Sequence, residues 1–200
     1  MSRTNSNHYK WKRKNKQIGI TSSTGISATL INGTTLHSFL KKETITLKGK
    51  REYYDGLLFG QPVVLVFSRW GKVASATTTT QLIHDFNVDE IIFTGVAGSV
   101  HDDLNIGDSV IGKHLYQHDM DASPLLEKFE IPLLRKKYFE THQQKRKLFV
   151  QATKLFLNEM DTYISKSQLL EYYIEQPKLF VEDIASGDLF ISTEQQIQTI

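Results

Sequence analysis

Three apolar residues, Ile91, Ile92 and Phe93, run straight into a turn of small residues, Thr94-Gly95-Val96-Ala97-Gly98-Ser99. A short continuous apolar run bounded in this way reads as a strand buried on both faces, as in a parallel sheet. The stretch upstream agrees. Residues 63–67 (VVLVF) form a second apolar run, and residues 71–86 carry a helical pattern with Val73, Ala76, Thr80 and Ile83 on one face. Strand, helix and strand within about 30 residues make a right-handed βαβ unit, which demands a sheet that is at least partly parallel. In open α/β sheets ligands sit just past the carboxyl ends of strands. The two glycines of the 94–99 turn let a ligand approach bare main chain, so this turn is the first candidate site; the alternative on pattern alone is a plain tight strand exit.

The flanking chain supplies further elements. Residues 17–20 read as a short strand, followed by a Ser/Thr/Gly turn, a brief helical pattern and an Asn32-Gly33 turn. Residues 44–47 and 53–59 alternate about Lys48-Gly49-Lys50 as a hairpin, and Gly60-Gln61-Pro62 is a second turn. Beyond the central turn, residues 109–112 are a short strand, and residues 143–160 an amphipathic helix with Leu148, Phe149, Ala152, Leu155, Phe156 and Met160 as its core stripe. Residues 178–184 are another strand, and residues 185–192 a turn with an apolar tip. A capping-box spacing then starts a helix, either Thr193-x-x-Gln196 or Ser192-x-x-Gln195. The chain ends inside that helix at Ile200, so the sheet is expected to lack C-terminal units.

Composition narrows the chemistry. Two hundred residues with 40% apolar and 23% charged content suit one globular domain with a sizeable core. With no cysteine there is no disulfide, thiolate metal site or cysteine nucleophile, and a reducing cytosol is the expected compartment. The longest apolar run is five residues, too short to span a membrane. The net charge of +2 hides an asymmetry: residues 1–42 hold eight of the 24 Lys/Arg and no acid, leaving 16 basic against 22 acidic residues in the rest. Residues 1–16 have six basic residues and no apolar period, which reads as a disordered leader. A sharper reading makes it an arm for nucleic acid, with Tyr9 and Trp11 as stacking groups.

Two resemblances follow from these stretches. TSSTGISATLINGTTLHSF (residues 21–39) resembles the segment of PIF-family DNA helicases that follows their phosphate-binding motif, so residues 17–42 read as a helicase-like fragment. No G-x-x-x-x-G-K-[ST] occurs in the chain, so nothing here cradles a triphosphate. GKVASATTTTQLI, DEIIFTGVAGSV, NIGDSVIGKHLYQHDMDASPL and IASGDLFIS, in that order, identify residues 43–200 as similar to the 5′-methylthioadenosine/S-adenosylhomocysteine nucleosidases of the purine nucleoside phosphorylase superfamily. The implied fold is α/β, a mixed, partly parallel sheet flanked by helices, without its first strand and its C-terminal units.

The implied reaction is hydrolysis of the N-glycosidic bond to adenine in a 5′-thio-substituted nucleoside, a step of methionine salvage that uses no cofactor and no metal. Such cleavage needs a surface for the purine, an anchor for the ribose, a carboxylate for water and an acid for the leaving base. The resemblance places Val96, Ala97 and Gly98 under the nucleoside, Phe190 stacked on adenine, and the Ile191 backbone on the base edge. Trp70 falls in an apolar pocket position. Leu125, in Ala122-Ser123-Pro124-Leu125, reaches the 5′-thio pocket of the partner in a homodimer. The family's water-activating glutamate, ribose-holding glutamate and base-protonating aspartate match no residue of this chain, so no catalytic residue is assigned and the 200-residue chain is expected to be inactive. The alternatives are a non-catalytic nucleoside-binding remnant and a nucleic-acid-binding fragment. Asp188, beside Phe190, reads as a residue that holds its own turn. His114 and His118, with Asp119 and Asp121, read as structural rather than as metal ligands.

Overall fold

The computed structural model describes residues 17–22, 29–31, 34–35 and 40–198. The basic leader, the Asn32-Gly33 turn and most of the helicase-like segment therefore lie outside the described residues. The chain divides into two compact units, residues 1–97 and 98–200.

In the first unit a five-stranded sheet is built from β1 (Ile18–Ser22), β4 (Lys41–Lys48), β5 (Arg51–Leu58), β6 (Gln61–Phe67) and β7 (Glu90–Thr94), in the order β4-β5-β6-β1-β7. Two further strands, β2 (Thr29–Ile31) and β3 (Thr34–Thr35), pair antiparallel with each other. The mixed, partly parallel sheet expected from the sequence is present. β4, β5 and β6 form an antiparallel meander, whereas β1 runs parallel to both β6 and β7. The place left empty by expecting a missing first strand is taken by β1, which comes from residues 17–42 and pairs on both sides with strands of residues 43–200.

Both hairpin turns of the meander are two residues long. Gly49 and Lys50 have φ of 54° and 60°, and Phe59 and Gly60 have 48° and 82°, the left-handed pair that matches the natural twist of antiparallel strands. Gln61 and Pro62, expected in the second turn, instead open β6.

Four consecutive residues of β6, Val63 to Val66, are buried because the sheet is covered on both faces there. One cluster joins Tyr53, Val64, Val66, Leu82 and Phe86, with the Tyr53 and Phe86 rings stacked at 4.8 Å. The other joins Ile20, Val63 and Leu65, with Ile18, Leu40, Tyr54 and Leu58 around them. Helix α1 (Lys72–His84) closes the first cluster, but not with the face expected. Val73 and Ile83 are exposed, while Thr78 and Leu82 are fully buried. The buried face lies nearly opposite the expected one, roughly 160° round the helix. Thr78 tolerates burial because its hydroxyl donates to the Ala74 carbonyl at 2.9 Å. Gly19 leaves room for the helix, since a Cβ there would meet the Leu82 methyls at 3.2 Å. β7 is also less buried than its apolar run suggested. It is the sheet's edge strand, and Phe93 is exposed.

In the second unit β10 (Leu179–Ser186) runs parallel to β8 (Ser109–Gln117), and β9 (Tyr138–Glu140) lies antiparallel on the other side of β8. β8 is five residues longer than the expected 109–112 strand, because residues 114–116 pair with β9 and residues 115–117 with β10. Helix α2 (Gln143–Asn158) packs on β8 and β10. None of its residues is buried, and the stripe expected in the core points outward, with Leu155 62% exposed. Arg146 explains the rotation: its guanidinium donates to the Thr141 carbonyl and hydroxyl, both at 2.8 Å, and pairs with Glu140 at 3.3 Å. That tether turns the Arg146, Val150 and Leu157 side inward. Three short helices follow: α3 (Met160–Tyr163), α4 (Lys166–Glu171) and α5 (Glu194–Ile197). α5 opens with a capping box made by Thr193 and Gln196, one of the two spacings legible in the sequence, and α4 with an unforeseen one made by Ser165 and Gln168. Among the described residues no helix is long and apolar enough to cross a membrane.

Candidate functional site

The parallel register of the first unit sets Phe67, Ser22 and Thr94 side by side, so β6, β1 and β7 end in one row. The chain leaves β6 through Ser68, Arg69 and Trp70 into the Gly71 N-cap of α1, and leaves β7 through Gly95, Val96 and Ala97. Ser68 is buried, and the Arg69 guanidinium donates to the Lys50 carbonyl, which anchors the first exit. Trp70 is 77% exposed and Val96 is exposed as well. Two large apolar side chains thus stand in solvent beyond the carboxyl ends of the two strands that flank β1. Thr21, one residue before the end of β1, buries its Oγ1 with no hydrogen-bond partner among the described residues, an arrangement that costs about 1–3 kcal/mol. Nothing in the sequence marked Thr21, because its burial depends on β1 lying at the centre of the sheet.

The second unit places the remaining candidates. Gly98 does not use the left-handed backbone region, and a Cβ built on it would meet nothing within 4 Å. The packed protein therefore does not require a glycine there. Ser99 Oγ donates to the His101 carbonyl at 2.6 Å and accepts from the His101 N–H at 3.0 Å, a local knot that shapes the loop. Ser99, Val100, His101 and Asp102 line an open cleft of about 280 Å³ with Glu194, Ile197 and Gln198 of the α5 region. Ile191 and Phe190 lie on the turn between β10 and α5, and the Phe190 ring is 88% exposed. Leu125 is also exposed; its N–H donates to the Ala122 carbonyl at 3.0 Å, closing the loop that carries it. Trp70, Val96 and Ala97 are thus gathered at the carboxyl edge of the first unit, and Gly98, Leu125, Phe190 and Ile191 are loop residues of the second.

Several charged groups are tied to structural tasks. The Ser123 N–H donates to Asp121 at 2.9 Å, and this bond holds the Asp121 carboxyl below the usual carboxylate range. Glu127 and Lys137 pair at 2.6 Å; their hydrogen bond lowers the glutamate and raises the lysine. Partial burial, with the Asp183 carboxylate close by, pushes Tyr116 up. His114 lies on β8 with Nδ1 2.9 Å from Asp183, so it does not share a site with His118. Residues four apart along a strand are separated by about 13 Å. Among the described residues no group of three or more His, Asp or Glu could hold a metal ion.

Comparison with known proteins agrees with this arrangement. The family model described as the phosphorylase superfamily matches residues 17–168, so the matched region includes β1. The chain belongs to the phosphorylase superfamily. An aminodeoxyfutalosine nucleosidase of Helicobacter pylori is 29% identical over 150 residues, covering 74% of this chain and 56% of that protein. A 5′-methylthioadenosine/S-adenosylhomocysteine nucleosidase of Staphylococcus aureus is 32% identical over 150 residues, covering 74% and 57%. The chain therefore spans a little over half the length of these curated relatives. A futalosine hydrolase mutant of Helicobacter pylori superposes with a TM-score of 0.71 at 28% identity, over 92% of this chain and 72% of that one. A nucleosidase from Neisseria meningitidis, solved with methylthio-immucillin-A, superposes with a TM-score of 0.76 over 92% of this chain and 70% of that one. At 23% identity that match speaks for the fold alone.

Proposed function

We propose that this chain carries the nucleoside cradle of an adenine nucleosidase, built for 5′-methylthioadenosine or S-adenosylhomocysteine, and that the 200-residue polypeptide binds such a nucleoside without cutting it. The observation that carries the reading is the exposure of two large rings, Trp70 at 77% and Phe190 at 88%, at positions that the resemblance assigns to nucleoside contact. An exposed aromatic face is a surface on which a purine stacks, the role of Phe190, while Trp70 would supply an apolar pocket wall. Val96, Ala97 and Gly98 offer main chain to the ribose side, and the Ile191 backbone offers its N–H and C=O to the adenine edge. Cleavage of the N-glycosidic bond would need a general acid at the base and a carboxylate for water. The resemblance carries neither onto a residue of this chain.

The site takes no cofactor or metal. Its setting is the cytoplasm, within methionine salvage, and Leu125 would be the residue that a second copy receives in a homodimer. Isothermal titration with 5′-methylthioadenosine, alongside chromatographic measurement of released adenine, tests the reading. Binding with no adenine release is the expected result. Release above background by protein free of host enzymes would make the chain an active hydrolase, and absence of binding would end the proposal.

The second reading, a nucleic-acid contact, is favoured by eight basic and no acidic residues in positions 1–42. Salt-sensitive binding of single-stranded DNA that disappears when residues 1–16 are deleted would support it. That deletion leaves β1 in place.

A further inference from the structure

We propose that Asp119 is a positioning residue for the adenine-stacking ring, acting through the turn that carries Phe190; the assignment rests on the nucleoside reading above. The ladder between β8 and β10 ends at the pair Gln117 and Ser186. Beyond it the two chains stay locked. The His118 N–H donates to the Ser186 carbonyl at 3.0 Å, and the Asp188 N–H donates to Asp119 Oδ2 at 2.9 Å. Between these bonds the Gly187 backbone lies directly against both side chains. A Cβ at Gly187 would sit 2.4 Å from His118 Nε2 and 2.9 Å from Asp119 Cγ. The next anchor along the chain is the α5 capping box, where Gln196 Oε1 accepts from the Ser192 and Thr193 N–H groups at 3.0 and 3.2 Å. Leu189, Phe190 and Ile191 are strung between the two anchors.

The Phe190 ring is 88% exposed, so side-chain packing does not fix it. Its direction is set by the backbone of a three-residue span, and the Asp119 carboxylate holds the near end of that span. A hydrogen bond to a charged acceptor is the stronger kind, and it costs nothing to reorganise when a purine arrives.

The test is a set of variants titrated with 5′-methylthioadenosine, with hydrogen exchange of the Asp188 amide read in the ligand-free chain. Asp119→Ala should weaken binding about tenfold and speed Asp188 exchange by a similar factor. Asp119→Asn keeps an acceptor oxygen for the same N–H and should stay within about twofold of the parent. In a Phe190→Ala background, Asp119→Ala should have no further effect, because the residue through which it acts is gone. Equal losses from Asp119→Ala with and without the Phe190 ring would overturn the assignment, as would an Asn variant no better than Ala. Should Asp119→Ala fail to fold by circular dichroism, Gly187→Ala disturbs the same turn from the opposite side. It drives a methyl against both His118 and Asp119, so it should weaken binding and speed Asp188 exchange; unchanged binding and exchange would count against the clamp. If the parent chain binds no nucleoside, the functional reading falls, and the clamp is judged by Asp188 exchange alone: faster in Asp119→Ala supports it, unchanged exchange overturns it.

Discussion

Substituting Gly98 with alanine separates what the fold requires from what a ligand requires. Gly98 lies outside the left-handed region, and its missing Cβ would meet nothing within 4 Å, so the methyl creates neither backbone strain nor a clash in the free protein. The remaining effect on stability acts through the unfolded chain, which loses freedom when glycine becomes alanine. That stabilises by about 0.4–1 kcal/mol, a rise of roughly 1–4 °C in Tm for a chain of this size. Binding should respond in the opposite direction. If a nucleoside passes in contact with the Val96–Gly98 main chain, a methyl inserted into that contact overpacks it at a cost of about 1–3 kcal/mol, roughly a fivefold to 150-fold rise in Kd. Thermal unfolding by circular dichroism and titration with 5′-methylthioadenosine read the two effects on one preparation. A Tm that drops by several degrees would mean that the fold itself uses this glycine. An unchanged Kd would mean that no ligand comes near it. Either result refutes the reasoning.

Three further outcomes are expected. Leu82→Ala empties the centre of the cluster made by Tyr53, Val64, Val66 and Phe86 and should cost about 2–5 kcal/mol in urea unfolding, while Ile83→Ala, exposed on the same helix, should stay within about 0.5 kcal/mol. On α2, Leu155→Lys should likewise leave the urea midpoint nearly unchanged, since the side chain is 62% exposed; a large loss would restore the stripe to the core. Asp121 titrates lower in the folded chain than in the unfolded one, so its contribution is complete above the unfolded carboxylate pKa and is lost as pH falls through the folded value. Nuclear magnetic resonance should place its midpoint below that of an ordinary aspartate and, with Ser123→Pro removing the donor N–H, return it toward the ordinary value.

The β4-β5-β6 meander was legible because its signals are local, whereas the pairing of β1 with β6 and β7 was not. The Gly49-Lys50 turn, the alternation on either side of it and the apolar run at residues 63–67 each depend on near neighbours, and β4, β5 and β6 appeared where those signals lay. Helix faces were not legible, for a physical reason. In α1 the apolar residues Val73 and Ile83 suggested one face, yet Thr78 is buried because its hydroxyl is satisfied by its own helix. In α2 the six-residue apolar stripe is outweighed by Arg146, whose partners Glu140 and Thr141 lie on the preceding segment. Hydropathy measures the preference of a side chain for burial. It carries no information about whether a polar group will find a partner, and the orientation of both helices turned on that.

The candidate site shows the same division between local and distant signals. Trp70, Val96, Phe190 and Leu125 could be named from short motifs, and each stands exposed at a strand exit or on a loop. Thr21 could not, and Asp119 was visible only as part of the His114/His118 group, with no hint of what it holds. Thr21 matters only because β1, distant in sequence from β6 and β7, lies between them. Asp119 holds the Asp188 N–H across 69 residues, whereas the sequence reading had Asp188 steadying its own turn. The proposed contact residues sit in short motifs because each would have to meet one ligand with one chemistry. The groups that aim those contacts are selected by the fold. A carboxylate that caps a distant N–H has the same sequence appearance as any other surface acid, and only the parallel pairing of β8 with β10 separates Asp119 from its neighbour Asp121 two residues on.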